Sequence, residues 1–521
     1  MNWNKLLNNG RRKDKHKHLT EKKEGCFLES EWGMVEKVGY REELERDYDR
    51  ILFLAPTRRL SDKTQVFPLE QNDSVRTRLT HSYEVSNLAR SIGTQLAYEH
   101  SELFEGNGLD KRNSQLTRSL PSLLAAIGLA HDLGNPPFGH QGETAIQDWF
   151  KANKENVFSY PEETMPLYYN DFLNFDGNSQ TIRLLTQLQI LNDKFGINLT
   201  YATLAALLKY PQSSTHIART KQSIEEWKKS HGEEEQCPIS DVTWKKHGYF
   251  HSEEYLVQDV WQETGLQEGL RHPVTYIMEA CDDIAYSVLD AEDIVKKGLA
   301  SFHDLVNHLE HYMTCKKGQE CAEQSAKFEV INKVLESSKR MHVEFSNPSL
   351  NLTPAELNDV SMQMFRVHAI GQLVSGVTEA FKEQIDKLTS ESCTIKDLMS
   401  LSKGSELCGA LKSFDLKWGY KNKTVLKLEL QGHNYIHGLM DMLWVGIHGR
   451  LSSTDKKASD TPFGKYAYGK ISENYRRVFE DKDNELPESY KEAQLLTDAV
   501  SGMTDSYLID LYNELKGLKP S

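Results

Sequence analysis

A mainly α-helical fold is what the sequence predicts, and three observations predict it: apolar residues recur at the 3.6-residue helical period, helix-ending residues punctuate those segments, and alternating strand patterns are sparse. In "THSYEVSNLARSIGTQLAYEH" the apolar positions Val85, Leu88, Ala89, Ile92 and Leu96 fall on one helix face, with Thr80 available as its cap. "SLPSLLAAIGLAHDLG" starts at Ser119, tolerates Pro121 in its first turn, stays apolar to Leu129 and stops at Gly134 before Pro136 and Pro137. "NLTYATLAALLKYP" and "HPVTYIMEACDDIAYSVLDAEDIV" read as helices too, each with turn or proline punctuation at an end. The few short strands expected are "KTQVFPLE" and "KTVLKLELQ", neither alternating with helices as a βαβ chain would. Residues 211–255 form the most polar interior stretch and read as an insertion or long loop. The opening "MNWNKLLNNGRRKDKHKHLTEKKEG" lacks the apolar core of a secretory signal, so residues 1–34 are expected to be a mobile basic arm.

The bulk properties narrow the function classes. With 521 residues, 38% of them hydrophobic, the chain can build one large domain or two to three smaller ones; without an eighteen-residue apolar run it is expected to be cytoplasmic and to have no membrane partner. Its seven cysteines form no CxxC pair, which suits reduced thiols and leaves His and carboxylate as the donors for any metal. A net charge of −14 argues against general coating of nucleic acid. A local group of cations at Arg58, Arg59, Lys63, Arg76 and Arg78 could still hold a polyanion.

The stretch "AHDLGNPPFGH" offers two histidines around one carboxylate. His131 and Asp132 end a helix, where the last turn can splay neighbouring side chains toward one point, and His81 lies near the start of another helix fifty residues earlier. Two neutral imidazoles with carboxylate oxygen suit Mn, Fe, Co, Zn or, more weakly, Mg. The set lacks one ligand, best sought in "EACDDIAYSVLD": there Asp282, Tyr286 and Asp290 share a helix face, opposite much of the apolar stripe Ile277, Cys281 and Val288. Asp282 is the candidate fourth ligand. A single histidine or a single His-Asp pair is ordinarily structural; the combination points to a site.

That combination resembles the HD-domain phosphohydrolases, and within them the deoxyguanosine triphosphate triphosphohydrolases. The likeness is carried by "RTRLTHSYEVS", "AHDLGNPPFGHQGE", "FDGNSQTIRLL", "LLKYP" and "EACDDIAYSVLDAED", with "DYDRILFLAPTRRLSDKTQVFPLE" upstream, and it covers about residues 40 to 295. The resemblance implies an HD-type helical core over 35–300 enlarged by C-terminal helices over 301–521, which would complete the active site and carry subunit contacts. It implies His81, His131, Asp132 and Asp282 as ligands of a divalent ion, Mg or Mn first, with Fe, Co, Ni or Zn as alternatives. It implies hydrolysis of a deoxynucleoside triphosphate, dGTP foremost, to the deoxynucleoside and inorganic triphosphate. The leaving group is then the sugar's 5′-oxygen, a poor alkoxide that needs a proton. The family's catalytic positions fall on His140, suited to general acid work near neutral pH, and on Glu143, one helical turn on, which orients it.

By the same resemblance Arg78, Lys209 and Asn178 face the triphosphate, while Gln65, Val66, Tyr286 and Asp290 surround the sugar, where a close wall can reject an added hydroxyl. Family members are commonly homo-oligomers, often hexamers, and some respond to a regulatory nucleotide or to single-stranded DNA. The likeness departs at "ELQGHNYIHGLMDMLWVGI", where His433-Asn434 stands in place of a Tyr followed by a basic phosphate contact. Two rival readings are an HD phosphohydrolase acting on a phosphomonoester, cyclic dinucleotide or alarmone, and a non-enzymatic nucleotide- or nucleic-acid-binding HD protein. The first leaves "GHQGE", "DGNSQ" and "LLKYP" unexplained together; the second fits poorly with a complete ligand set.

Overall fold

A computed structural model describes residues 1–23, 41–69, 72, 74–110, 115–158, 168–189, 193–231, 244, 246–316, 322–452 and 458–519. Helix dominates them. Among the described residues no strand forms; pairing is confined to isolated bridges, such as Arg11 with Thr200 and Ser213 with Tyr249. Neither expected strand is present. "KTVLKLELQ" opens the helix Lys423–Ile447, whose apolar positions Val425, Ile436, Leu439, Met440 and Leu443 are buried at helical spacing. "KTQVFPLE" carries a single bridge residue, Thr64, and then follows bends and turns, with Val66 and Phe67 buried; Glu70 lies outside the described residues. No described helix is long and apolar enough to cross a membrane.

The chain forms two compact units that interleave along the sequence: 1–64 with 129–272 and 429–521, and 65–128 with 273–428. These bounds cut across the division at residue 300 drawn from the sequence.

In the unit made of 65–128 and 273–428, the helix Pro273–Lys296 is the central element. It contacts Arg78–Glu99, Pro354–Leu388 and Ser405–Asp415, and nineteen of its residues are buried. The cap of Arg78–Glu99 is Thr77 rather than Thr80; the two threonines cap reciprocally, Thr80 N–H to the Thr77 hydroxyl and Thr77 N–H to the Thr80 hydroxyl. The helix Leu116–Ala130 starts three residues before Ser119, so Pro121 lies beyond its first turn. Close approach of this helix to Arg78–Glu99 depends on Gly128, where a Cβ would lie 2.8 Å from the Ser86 Cα.

In the other unit the N-terminal residues are built in, which corrects the mobile-arm expectation for 1–23; residues 24–34 lie outside the described residues. The short helix Trp3–Leu6 buries Trp3 and Leu6 at 0% exposure, and the Leu6 carbonyl accepts a hydrogen bond from buried His272 at 3.0 Å. Arg11 donates to Asp47 at 2.7 Å and to Glu43 at 2.8 Å on the helix Glu43–Leu52. Apolar burial and a desolvated ion pair thus fix a segment whose composition is that of a solvated tail. The stretch read as an insertion contains the helix Ser214–His231 and the buried Trp244, His247, Tyr249 and Phe250; residues 232–243 lie outside the described residues. Phe250 joins Phe172 and Phe175 in an aromatic core that also takes in Phe150 and Tyr490.

Candidate functional site

The two units each carry candidate site residues. In the unit of 65–128 and 273–428, packing of Arg78–Glu99 on Pro273–Lys296 brings buried His81 Nε2 to 3.1 Å from Asp282 Oδ1. Four residues on, Tyr286 stacks on Tyr420 with ring centres 5.7 Å apart, and the Tyr420 hydroxyl donates to Asp290. Asp290 is 1% exposed, and burial pushes its carboxyl well above the ordinary range. The face shared by Asp282, Tyr286 and Asp290 therefore exists as the spacing implies, each member with its own partner, while Ile277, Cys281 and Val288 are fully buried. Val66 and Arg78 are buried and Gln65 is half-buried. Arg76, one of the grouped cations, is consumed by Glu84, Glu292 and Asp293.

In the unit of 1–64, 129–272 and 429–521, His131 Nε2 lies 3.5 Å from Asp132 Oδ1, and the Asn135 side chain donates to that same oxygen at 2.7 Å. The turn that follows is unusual. Phe138 takes a left-handed conformation at φ 61°, as does Gly139 at φ 57°, and the helix Gly139–Ala152 starts there. Its first turn presents His140, whose side chain is 72% exposed, with Nδ1 3.1 Å from Oε2 of buried Glu143. The other Glu143 oxygen accepts the Gly177 N–H at 2.8 Å. Lys246 Nζ lies 3.4 Å from Glu143 and also pairs with Asp176. Burial works against ionisation of Glu143, yet the His140 hydrogen bond, the Lys246 charge and the Gly177 N–H hold its carboxyl well below the ordinary range. Burial likewise works against the Lys246 ammonium, and Asp176 with Glu143 holds it above its ordinary value.

Asn178 follows Gly177, its side chain donating to Asp176 at 2.6 Å. Lys209 is half-buried, its ammonium 6.0 Å from the Tyr210 ring centre. Lys63, another of the grouped cations, is spent inside the unit on the carbonyls of Asn135 at 2.6 Å and Ser501 at 2.8 Å. His433, at the departure from the family pattern, sits 3.7 Å from Asp148.

Each unit supplies an imidazole–carboxylate donor pair of the kind a divalent ion takes, His81 with Asp282 in one and His131 with Asp132 in the other. Two ligand atoms about 2.1 Å from one ion are separated by roughly 3.0–3.4 Å; the His81–Asp282 separation of 3.1 Å falls inside that range and the His131–Asp132 separation of 3.5 Å just beyond it. Imidazole nitrogen with carboxylate oxygen is a set that binds borderline and hard cations. Sequence reasoning did not find Lys246, Asp176, Asn135 or Tyr420. Lys246 stands in the stretch taken for an insertion, where nothing local marks it.

Comparison with known proteins adds to this geometry. The HD domain family matches residues 78–164. The deoxyguanosinetriphosphate triphosphohydrolase-like protein of Listeria monocytogenes is 33% identical over 526 residues, covering 99% of this chain and 100% of the relative. The protein of the same description from Listeria innocua is 33% identical over 530 residues with the same coverage.

Proposed function

The chain belongs to the HD-domain family of deoxyguanosinetriphosphate triphosphohydrolase-like proteins, and from that premise we propose that it hydrolyses deoxynucleoside triphosphates, dGTP foremost, to the deoxynucleoside and inorganic triphosphate in the cytoplasm. The observation that carries the reading is the exposed His140 ring held through Nδ1 by a buried, doubly anchored Glu143.

In this reaction water forms a bond to the α-phosphorus and the bond from that phosphorus to the 5′-oxygen breaks. His140, with Nδ1 engaged by Glu143, has Nε2 to give a proton to the departing 5′-oxygen. Glu143 fixes the ring's orientation and stabilises positive charge on it, and Lys246 with the Gly177 N–H keeps that carboxylate in place. His81, His131, Asp132 and Asp282 are the residues that would hold a divalent ion, Mg2+ or Mn2+. Such an ion supplies Lewis acidity toward the phosphate and a water of lowered pKa. Arg78, Lys209 and Asn178 would neutralise and orient the triphosphate. Gln65, Val66, Tyr286 and Asp290 would enclose the sugar.

The test is to incubate the full chain with Mg2+ or Mn2+ and each deoxynucleoside triphosphate in turn, and to identify the phosphorus product by 31P NMR. Tripolyphosphate is expected. Orthophosphate or pyrophosphate would replace the proposal with another HD phosphohydrolase activity, and no product under any metal would replace it with a binding role.

A further inference from the structure

The turn that delivers His140 is held in a conformation its own residues disfavour. Phe138 is a bulky side chain at φ 61°, ψ 17°, a region that residues with a Cβ adopt only when their surroundings impose it. It directly precedes the helix Gly139–Ala152, so its backbone angles set the direction in which that helix leaves and hence where His140, two residues on, presents its ring.

Two features far along the chain, both in the same unit, impose that conformation. Asp505, the first residue of the helix Asp505–Leu518, is 2% exposed and accepts the Phe138 N–H through Oδ1 at 3.1 Å. Its other oxygen accepts the Thr64 N–H at 3.0 Å and the Thr64 hydroxyl. The carboxylate is thus tied to the turn on one side and to residue 64 on the other. Lys63 repeats the arrangement one residue earlier, joining the carbonyls of Asn135 and Ser501. The Phe138 ring, 4% exposed, lies against Gly432, where a Cβ would come within 2.5 Å of the ring's Cγ. The amide is held by a buried acceptor and the ring is seated on a residue without a side chain.

We propose that Asp505 is a positioning residue for the hydrolysis: it holds Phe138 in the left-handed conformation and through it aims His140, with Gly432 as the seat of the Phe138 ring. The inference rests on the assignment of proton donation to His140. Without the Asp505 acceptor the Phe138 amide is buried and unsatisfied, and the turn relaxes toward ordinary backbone angles. His140 then swings from its place while the groups that bind the triphosphate stay where they are.

Steady-state dGTP hydrolysis by four full-length proteins tests this: the parent, Asp505→Ala, His140→Ala and the double variant. Asp505→Ala is expected to lose roughly 10–100-fold in kcat, with KM changed less than about threefold. In the His140→Ala background the same substitution is expected to cost less than about twofold, because the group it positions is gone. A purely structural role would lower both backgrounds by the same factor, and that result overturns the proposal, as does a kcat for Asp505→Ala within twofold of the parent. Loss of under threefold in His140→Ala alone would instead overturn the proton-donor assignment. Should Asp505→Ala fail to fold by circular dichroism, Gly432→Ala, which displaces the Phe138 ring, is put through the same cycle with the same criteria.

Discussion

Glu143 divides its two oxygens between partners of different kinds: Oε2 faces His140 Nδ1 at 3.1 Å, and Oε1 takes the Gly177 N–H at 2.8 Å. One oxygen acts on the ring and the other anchors the carboxylate to the backbone at the start of the helix Gly177–Thr186. Replacing His140 with Ala is expected to lower kcat by about 10²- to 10⁴-fold, the usual worth of a positioned acid or base, with bound metal unchanged by elemental analysis. Glu143→Gln is expected to fall between this variant and the parent, since the amide keeps the anchor but loses the charge. A loss under threefold in His140→Ala would mean the proton comes from another group.

Asp282 and Asp283 are adjacent but differently engaged. Asp282 faces His81, whereas Asp283 pairs with Lys412 at 2.7 Å. Asp282→Ala is expected to abolish metal binding and turnover together, measured by metal content after dialysis and by product formation. Asp283→Ala should retain metal. Full activity with stoichiometric metal in Asp282→Ala would remove that residue from the ligand set.

Sugar selection tests the residues assigned to the nucleoside. A ribonucleotide enclosed by Gln65, Val66 and Tyr286 would bury a hydroxyl without a partner at a cost of about 1–3 kcal/mol, which corresponds to a preference for the deoxy sugar of roughly 5- to 150-fold. Val66→Gly and Tyr286→Ala are expected to narrow the ratio of dGTP to GTP turnover, mainly by admitting GTP. Equal turnover of both sugars by the parent protein would defeat the assignment.

His272 makes stability depend on pH. It is fully buried, and that burial lowers its pKa from the ordinary 6.5 to about 4, against the smaller upward effect of its hydrogen bond to the Leu6 carbonyl. The neutral ring is favoured in the folded chain, so its contribution is complete above pH 6.5 and is lost as pH falls from there toward 4. Between pH 7 and pH 4.5 that amounts to about 2–3 kcal/mol. His272→Gln keeps an N–H for Leu6 and does not titrate. Urea unfolding of this variant should lose stability less steeply over that range, and an unchanged pH dependence would assign the effect to other groups.

The central helices were legible because burial is written into them locally. Pro273–Lys296 and Arg78–Glu99 repeat apolar residues at the helical period. The cap of the latter was misplaced by three residues because Thr77 and Thr80 bond to each other reciprocally, and either fits the pattern. What escaped the reading depends on distant partners. Trp3 and Leu6 give one short turn among polar residues, and Leu6 meets its partner at position 272. Lys246 gains its meaning only when the fold sets it beside Glu143 and Asp176. "KTVLKLELQ" alternates well enough for a strand; the helical continuation through Leu443 decides otherwise.

The interleaving of the two units also governs the order in which the protein can be completed during synthesis. One unit needs residues 273–428 as well as 65–128, and the other needs 429–521 as well as the first 64. A ribosome therefore releases Trp3 and Leu6 long before position 272 emerges, and it releases the turn at Phe138 long before Asp505. Contacts of such sequence separation form slowly and leave apolar surface uncovered in the meantime. Truncation before residue 429 would remove more than a tail: the unit containing Trp3 and Leu6 would be left without 429–521, Asp505 among them.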